Sequence, residues 1–284
     1  VPERAGSGDP FAGAHAVITG GSSGIGLATA ARLAARGARL SLLARGSERL
    51  ERAGNDLAAA GADVAVRSAD VADHTALDAA LAELVADRGP CDILVTSAGV
   101  ARPGHFLELD DSVFREMIEV DYFGTLYACR AVAPSMVERG SGSMVAISSA
   151  AGLLGIYGYT AYSPAKFAVR GLMESLRAEM APAGVHVACV CPPDVDTPQL
   201  ADENRFKPAE TKAVAGTVKP LSALQVADAI VGGIERRRFL ICPGVSTWAL
   251  GRFGSVLAPA LQSGFDRKVA KVRKKGAAPP PVGQ

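Results

Sequence analysis

Apolar residues in this chain gather into short unbroken runs, and most of these are followed by a stretch long enough for a helix. The runs are HAVIT (His15–Thr19), RLSLLA (Arg39–Ala44) and residues 63–69, 92–97, 143–148 and 185–190. A strand that is apolar at consecutive positions is buried on both faces, with helices in between as cover. The alternation predicts a parallel sheet flanked by helices on both sides, a doubly wound Rossmann-type α/β fold. The first helix is expected over residues 24–36 and the second through residue 60. No repeat or linker interrupts the rhythm before residue 200, so a single domain over 14–245 is expected. Within it, residues 193–220 are rich in Pro, Thr and charge and read as a mobile insertion over the site. A helix at 222–236 and a short strand at 239–242 then return to the fold.

The ends read differently. Residues 1–13 are small, polar and Pro/Gly-rich, as expected of a flexible leader, and residues 276–284 (GAAPPPVGQ) read as a disordered tail. Between domain and tail, at 246–275, Leu257, Leu261, Phe265, Val269 and Val272 recur at near-helical spacing. Arg267, Lys268, Lys271, Arg273, Lys274 and Lys275 surround them. Glycines and Pro243 break the apolar stretch into pieces too short for the roughly 20 residues of a membrane span. The segment suits an interfacial helix on anionic lipid, or a helix docked on the protein or on a second subunit.

Composition narrows the function classes. A net charge of +1 over 284 residues offers no broad basic face for nucleic acid. Five cysteines without C-x-x-C spacing, and four scattered histidines, argue against a disulfide framework or a metal site. A reducing cytoplasm is the expected compartment, with peripheral membrane contact if the C-terminal segment provides it.

The chemistry begins after the first strand. In Thr19-Gly20-Gly21-Ser22-Ser23-Gly24-Ile25-Gly26, glycines allow a tight turn and let backbone approach a pyrophosphate at the N-terminus of the following helix. The second strand ends in Arg45, with Arg49 one helical turn on and no acid at the strand end. An acid there would bind a ribose 2′-hydroxyl, whereas arginine accommodates a 2′-phosphate, so NADP(H) is the expected cofactor. Further on, Tyr162 and Lys166 stand four residues apart on one helix face, Ser149 ends the strand before them, and Pro164 fits the first helical turn. A carbonyl reduced by hydride needs a proton for the developing alkoxide. Tyr162 is assigned as donor, Lys166 as the charge that lowers its pKa and as a ribose ligand, and Ser149 as the group that orients the carbonyl.

TGGSSGIG (19–26), SADV (68–71), SAG (97–99), SSAAG (148–152), YSPAK (162–166) and PPDVDTP (192–198) together resemble the short-chain dehydrogenase/reductase family, from about residue 14 to 236. By that resemblance Asp70 and Val71 flank the adenine, Ala98 and Gly99 line the cofactor, and Pro192, Val195 and Thr197 meet it from the loop after the sixth strand. It also implies a homodimer or homotetramer through the helices around 110–137 and 161–181. Two departures stand out: Ser97 replaces the usual Asn of Asn-Ala-Gly, and Asp121 stands where members carry an Asn that kinks its helix near the active-site lysine. Asp121 is counted with the catalytic set on that basis. Pro192-Pro193-Asp194, where most members have Pro-Gly, together with the stretch that follows, is most similar to the 3-ketosphinganine reductases. The resemblance implies reduction of a long-chain 3-keto lipid. Two alternatives stay open on sequence alone: turnover of another hydrophobic ketone or alcohol (steroid, retinoid, acyl thioester), and a non-catalytic NADP(H)-binding regulator.

Overall fold

A computed structural model describes residues 9–215 and 219–274. In chain order its elements are β1 (His15–Thr19), α1 (Gly24–Ala34), β2 (Arg39–Ala44), α2 (Ser47–Ala59), β3 (Val64–Ser68), α3 (His74–Arg88) and β4 (Ile93–Thr96). Then come α4 (Asp111–Met117), a π-helical turn (Ile118–Phe123), α5 (Gly124–Arg139), β5 (Ser143–Ile147), α6 (Tyr162–Met180) and β6 (His186–Val190). The last part holds β7 (Val195–Asp196), α7 (Pro198–Glu203), α8 (Ala209–Ala215), β8 (Leu221–Ser222), α9 (Ala223–Glu235), β9 (Leu240–Ile241) and α10 (Val245–Lys274).

Seven strands form one parallel sheet in the order β3-β2-β1-β4-β5-β6-β9, as the apolar runs predict. Successive strand residues point to opposite faces, so Val17 and Ile18 enter different cores. Val17, Leu94 and Met144 pack against Leu81, Val132 and Val169 of α3, α5 and α6. Ile18, Leu42 and Val95 pack against Leu33, Leu50 and Ile230 of α1, α2 and α9. Strand order reverses between β1 and β4, and in open α/β sheets a ligand crevice forms at that switch point, beyond the carboxyl ends of the strands.

Three segments differ from their expected character. The leader, expected to be flexible through residue 13, is packed from Asp9 onward: Phe11 is buried beneath the Arg36 guanidinium, which also pairs with Asp9. One buried aromatic side chain contributes about 2 kcal/mol, enough to hold a short segment down. Residues 1–8 of the leader and the tail 276–284 lie outside the described residues. The 193–220 insertion, expected to be mobile, folds into α7 and α8, and β7 pairs in parallel with β8 to close its base. Its anchors are polar: Glu203, Lys207, Glu210 and Thr211 are all buried. Residues 216–218 lie outside the described part.

The C-terminal segment is one helix of 30 residues, despite Gly251, Gly254 and Pro259. Gly251 allows close packing: an added Cβ would come within 2.7 Å of Cys242 Sγ. At its far end Arg273 Nη2 donates to the Tyr157 hydroxyl (3.0 Å), and Nε lies 3.6 Å from Glu210 on α8. The outward face is apolar in its first half, where Val245, Trp248, Phe253 and Val256 are exposed. No helix among the described residues is long and apolar enough to cross a membrane.

Candidate active site

A cavity of about 1100 Å³ opens at the switch point. That is at the upper end of, or beyond, the roughly 300–1,000 Å³ of a single small-ligand site, leaving room for two molecules side by side. Its floor is the row of loops leaving β1, β2, β4, β5 and β6.

The loop after β1 is built for close approach. Gly20 has φ +68°, in the left-handed region glycine tolerates, and an added Cβ would meet Ala98 N at 2.5 Å. Gly26 faces inward, its Cα against the Gly20 carbonyl, so a side chain there would push α1 off the loop. The first turn of α1 holds no acidic residue, and Ser23 at its N-cap makes no side-chain capping bond. Free N–H groups and the positive end of the helix dipole thus face the cavity, an arrangement suited to a phosphate. Arg45 and Arg49 line the cavity beside it. Arg45 is half exposed and its nearest anion is Asp70 at 3.8 Å, a loose surface pair that leaves the guanidinium available. Thr197 leans over Gly24 from the other side and caps α7, accepting from Leu200 N at 3.3 Å. A dinucleotide with a 2′-phosphate fits this donor set.

Of the residues singled out in the sequence, Gly20, Ser22, Ser23, Gly24, Ile25, Arg45, Arg49, Val71, Ala98, Gly99, Ser149, Tyr162, Lys166, Pro192, Val195 and Thr197 all line the cavity. Gly26, Asp70 and Asp121 do not. Gly26 is a packing position and Asp70 turns its carboxylate to the Ala72 N–H and Arg45. Asp121 lies beneath the cavity, with its side chain fully buried.

The reacting side is assembled from three elements. Ser149 follows β5, where its hydroxyl accepts from Ala151 N at 3.1 Å. Tyr162 opens α6, and Lys166 follows one turn on, its Nζ 5.5 Å from the Tyr162 ring centre. Pro164 falls in that first turn, where no helical N–H is required. Lys166 Nζ donates to the Ile147 carbonyl at 3.2 Å and stands 3.4 Å from Asp121 Oδ1, which also accepts from Val100 N at 3.0 Å. Asp121 sits in the π-helical turn, and its own carbonyl accepts from the Thr125 hydroxyl at 2.7 Å. The helix is therefore irregular at the position where a kink was expected, and the side chain does face the lysine. Burial pushes the Asp121 carboxyl up from its ordinary value, opposed by Lys166 and the Val100 N–H.

One electrostatic expectation is corrected. Lys166 was expected to lower the Tyr162 pKa, yet that phenol is held well above its ordinary value. Burial is the largest cause, followed by the negative charges of Asp121 and Glu203, while the Ser149 hydroxyl pulls the other way. The ammonium is shared with Asp121, so little of its field is left for the phenol. Tyr162 is protonated at neutral pH, the state a proton donor requires.

Sequence reasoning missed a second polar group on the cavity wall. Asp194 and Glu203 both line it, with Lys207 behind them and Tyr159 donating its hydroxyl to Glu203. Asp194 was noticed only as an oddity in Pro-Pro-Asp, and Glu203 and Lys207 lie in a segment without periodicity. Met117, Ile156 and Leu200 supply the apolar part of the same wall.

Residues 14–208 match the family profile described as short chain dehydrogenase. The 3-ketodihydrosphingosine reductase of Mus musculus is 39% identical over 252 residues, covering 87% of this chain and 76% of that one. The 3-dehydrosphinganine reductase of Danio rerio is 38% identical with the same coverage. Among solved structures, a short-chain dehydrogenase from Sphingobium yanoikuyae in complex with NADPH superposes with a TM-score of 0.75 at 28% identity, covering 88% of this chain and 95% of that one. With the profile spanning most of the sheet and the cavity, the chain belongs to the short-chain dehydrogenase family.

Proposed function

We propose that this oxidoreductase uses NADPH to reduce the carbonyl of a long-chain 3-keto lipid, 3-ketosphinganine being the leading candidate. The observation that carries the reading is the convergence of Ser149, a buried protonated Tyr162 and Lys166 on one cavity, part of whose wall is the apolar group Met117, Ile156 and Leu200. The names of the Mus musculus and Danio rerio relatives support the substrate, and Arg45 with Arg49 beside the Gly20–Gly26 loop supports the 2′-phosphate form of the cofactor. When bound, the reduced nicotinamide supplies a hydride to the carbonyl carbon.

The chain's own residues do the rest. Backbone N–H groups at the start of α1, with Ser22, Ser23 and Ile25, hold the pyrophosphate, while Val71, Ala98, Gly99, Pro192, Val195 and Thr197 line its path. The Ser149 hydroxyl donates to the substrate carbonyl oxygen and fixes its direction. Tyr162 gives its phenolic proton to that oxygen as negative charge develops there. Lys166, braced by the Ile147 carbonyl and Asp121, offers its remaining N–H donors to a ribose hydroxyl. Domain bounds of 14–245, followed by the C-terminal helix, belong to the same reading. So does a homodimer or homotetramer, in which Val137 on α5 and Phe167 on α6, both exposed here, would be covered. The bare apolar face of α10, continued by Arg267, Lys271 and Lys274, would rest on anionic lipid and bring the cavity near a lipid substrate.

The test is NADPH consumption by purified protein with 3-ketosphinganine. Turnover is expected, and Tyr162→Phe should reduce it by about 10²–10⁴-fold, the range of general acid catalysis. NADPH binding without turnover of any ketone would refute the reading and leave the non-catalytic alternative.

A further inference from the structure

The substrate side of the cavity carries more negative charge than reduction of a plain ketone requires. Asp194 and Glu203 share its lining with Ser149 and Tyr162. Lys207 Nζ lies 3.3 Å from Asp194 Oδ2 and 3.1 Å from Glu203 Oε1. Tyr159 bonds to Glu203, and its ring centre is 5.6 Å from that of Tyr162, so the group sits one side-chain layer from the proton donor. The Lys207 side chain is only 4% exposed, whereas Asp194 keeps 34% of its side-chain surface open.

Two carboxylates share one buried ammonium, and Asp194, the more open of the two, keeps surface toward the cavity where a second cation could pair with it. Burial pushes the Glu203 carboxyl up from its ordinary value, opposed by Tyr159 and Lys207. Of the other cations on the cavity wall, Arg45 and Arg49 stand beside the phosphate-binding loop, Arg102 stacks 3.9 Å over the Phe206 ring, and Lys166 faces Asp121. Asp202, also on the wall, is paired with Arg205.

We propose that Asp194, backed by Glu203 and Lys207, receives a cationic amine carried on the carbon next to the substrate carbonyl, making this enzyme selective for α-amino ketones. The inference rests on the reductase reading above, whose leading candidate is itself an α-amino ketone, and adds to it the residue that would determine this specificity. With the carbonyl oxygen on Ser149 and Tyr162, an adjacent ammonium would turn to the acidic wall. The alkyl chain would leave along Met117, Ile156 and Leu200.

The experiment compares three ketones of equal chain length: one with a free α-amine, one with the amine acetylated, and one without it. Wild type, Asp194→Asn and Glu203→Gln are each assayed, and NADPH binding, read from its fluorescence, reports whether each variant folds. Wild type should prefer the free amine over both neutral analogues by about tenfold or more in kcat/KM, the scale of one charge-assisted hydrogen bond. Asp194→Asn should lower that ratio by about tenfold, mainly through KM, and Glu203→Gln should lower it less. Equal use of all three ketones by wild type would overturn the inference while leaving the reductase reading intact, and needs no variant. An unchanged ratio in a folded Asp194→Asn would overturn it as well. Failure of wild type to reduce any ketone while binding NADPH would overturn both readings together.

Discussion

Asp121→Asn isolates how charge beneath the cavity governs the proton donor. Lys166 Nζ stands 5.5 Å from the Tyr162 ring centre and 3.4 Å from Asp121 Oδ1, so the carboxylate lies no more than about 9 Å from the ring. At an effective dielectric of about 20, two unit charges at that distance repel by about 2 kcal/mol, a little over one pKa unit. The expected effect is about one unit. Burial raises the Asp121 carboxyl while Lys166 and the Val100 N–H oppose that rise, and the repulsion is that of the carboxylate form paired with Lys166. Reduction needs Tyr162 protonated, so the rate is level below the Tyr162 pKa and falls above it. That pKa is raised in the native protein, partly by Asp121. Removing the charge lowers it, and the alkaline limb of kcat/KM against pH should move down by about one unit, with turnover near neutral pH similar or higher. The assay is a pH series of ketone reduction for both proteins. A limb that stays in place or moves upward would refute the electrostatic argument, and a collapse at every pH would show that the carboxylate itself is needed.

Arg45→Ala removes the guanidinium beside the phosphate-binding loop. The KM for NADPH should rise about tenfold to a hundredfold while that for NADH changes little, as steady-state kinetics with the two cofactors would reveal. Gly99→Ala places a Cβ 2.8 Å from Asp121 Oδ1 and 3.3 Å from Lys166 Nζ, both buried. Overpacking of this kind costs about 1–3 kcal/mol, so thermal melting should shift down by several degrees and activity should fall with it. A double change of Trp248 and Phe253 to Ser should weaken sedimentation with anionic vesicles and leave reduction of a short soluble ketone in place. Equal sedimentation by both proteins would remove α10 from membrane contact.

The sheet was legible because a parallel strand covered on both faces is mostly apolar, and each such run became a strand of one parallel sheet. The phosphate loop and the Ser149, Tyr162, Lys166 group were legible because their geometry is local: a strand end, a helix start and one helical turn. What sequence could not reveal depends on distant segments. Tyr159 meets Glu203 across 44 positions, and no periodicity marks either as a partner. The continuity of α10 was hidden for a different reason. Gly251 and Gly254 read as breaks, yet contact with β9 and α8 outweighs their poor helix propensity and that of Pro259. The pKa of Tyr162 was misjudged because sequence shows that Tyr162, Lys166 and Asp121 are neighbours but not how fully the phenol is buried, and burial is the largest cause of its rise.

The bond from Arg273 to Tyr157 joins residues 116 positions apart and ties the last turn of the described chain to the segment that carries the cavity residues Ile156 and Tyr159. Tyr157 also shares a hydrogen bond with His105, and its carbonyl accepts from Thr211, so four segments meet at one phenol. Glu210 beside it is nearly fully buried and has this arginine as its cation. Shortening the chain by even a few residues before position 273 would leave that carboxylate stranded, and the damage would surface far from the cut, as a loosened α8 and an altered preference among ketones. The end of α10 is thus a brace for α8 and the Tyr157 segment rather than a free arm, and a cut there acts on both.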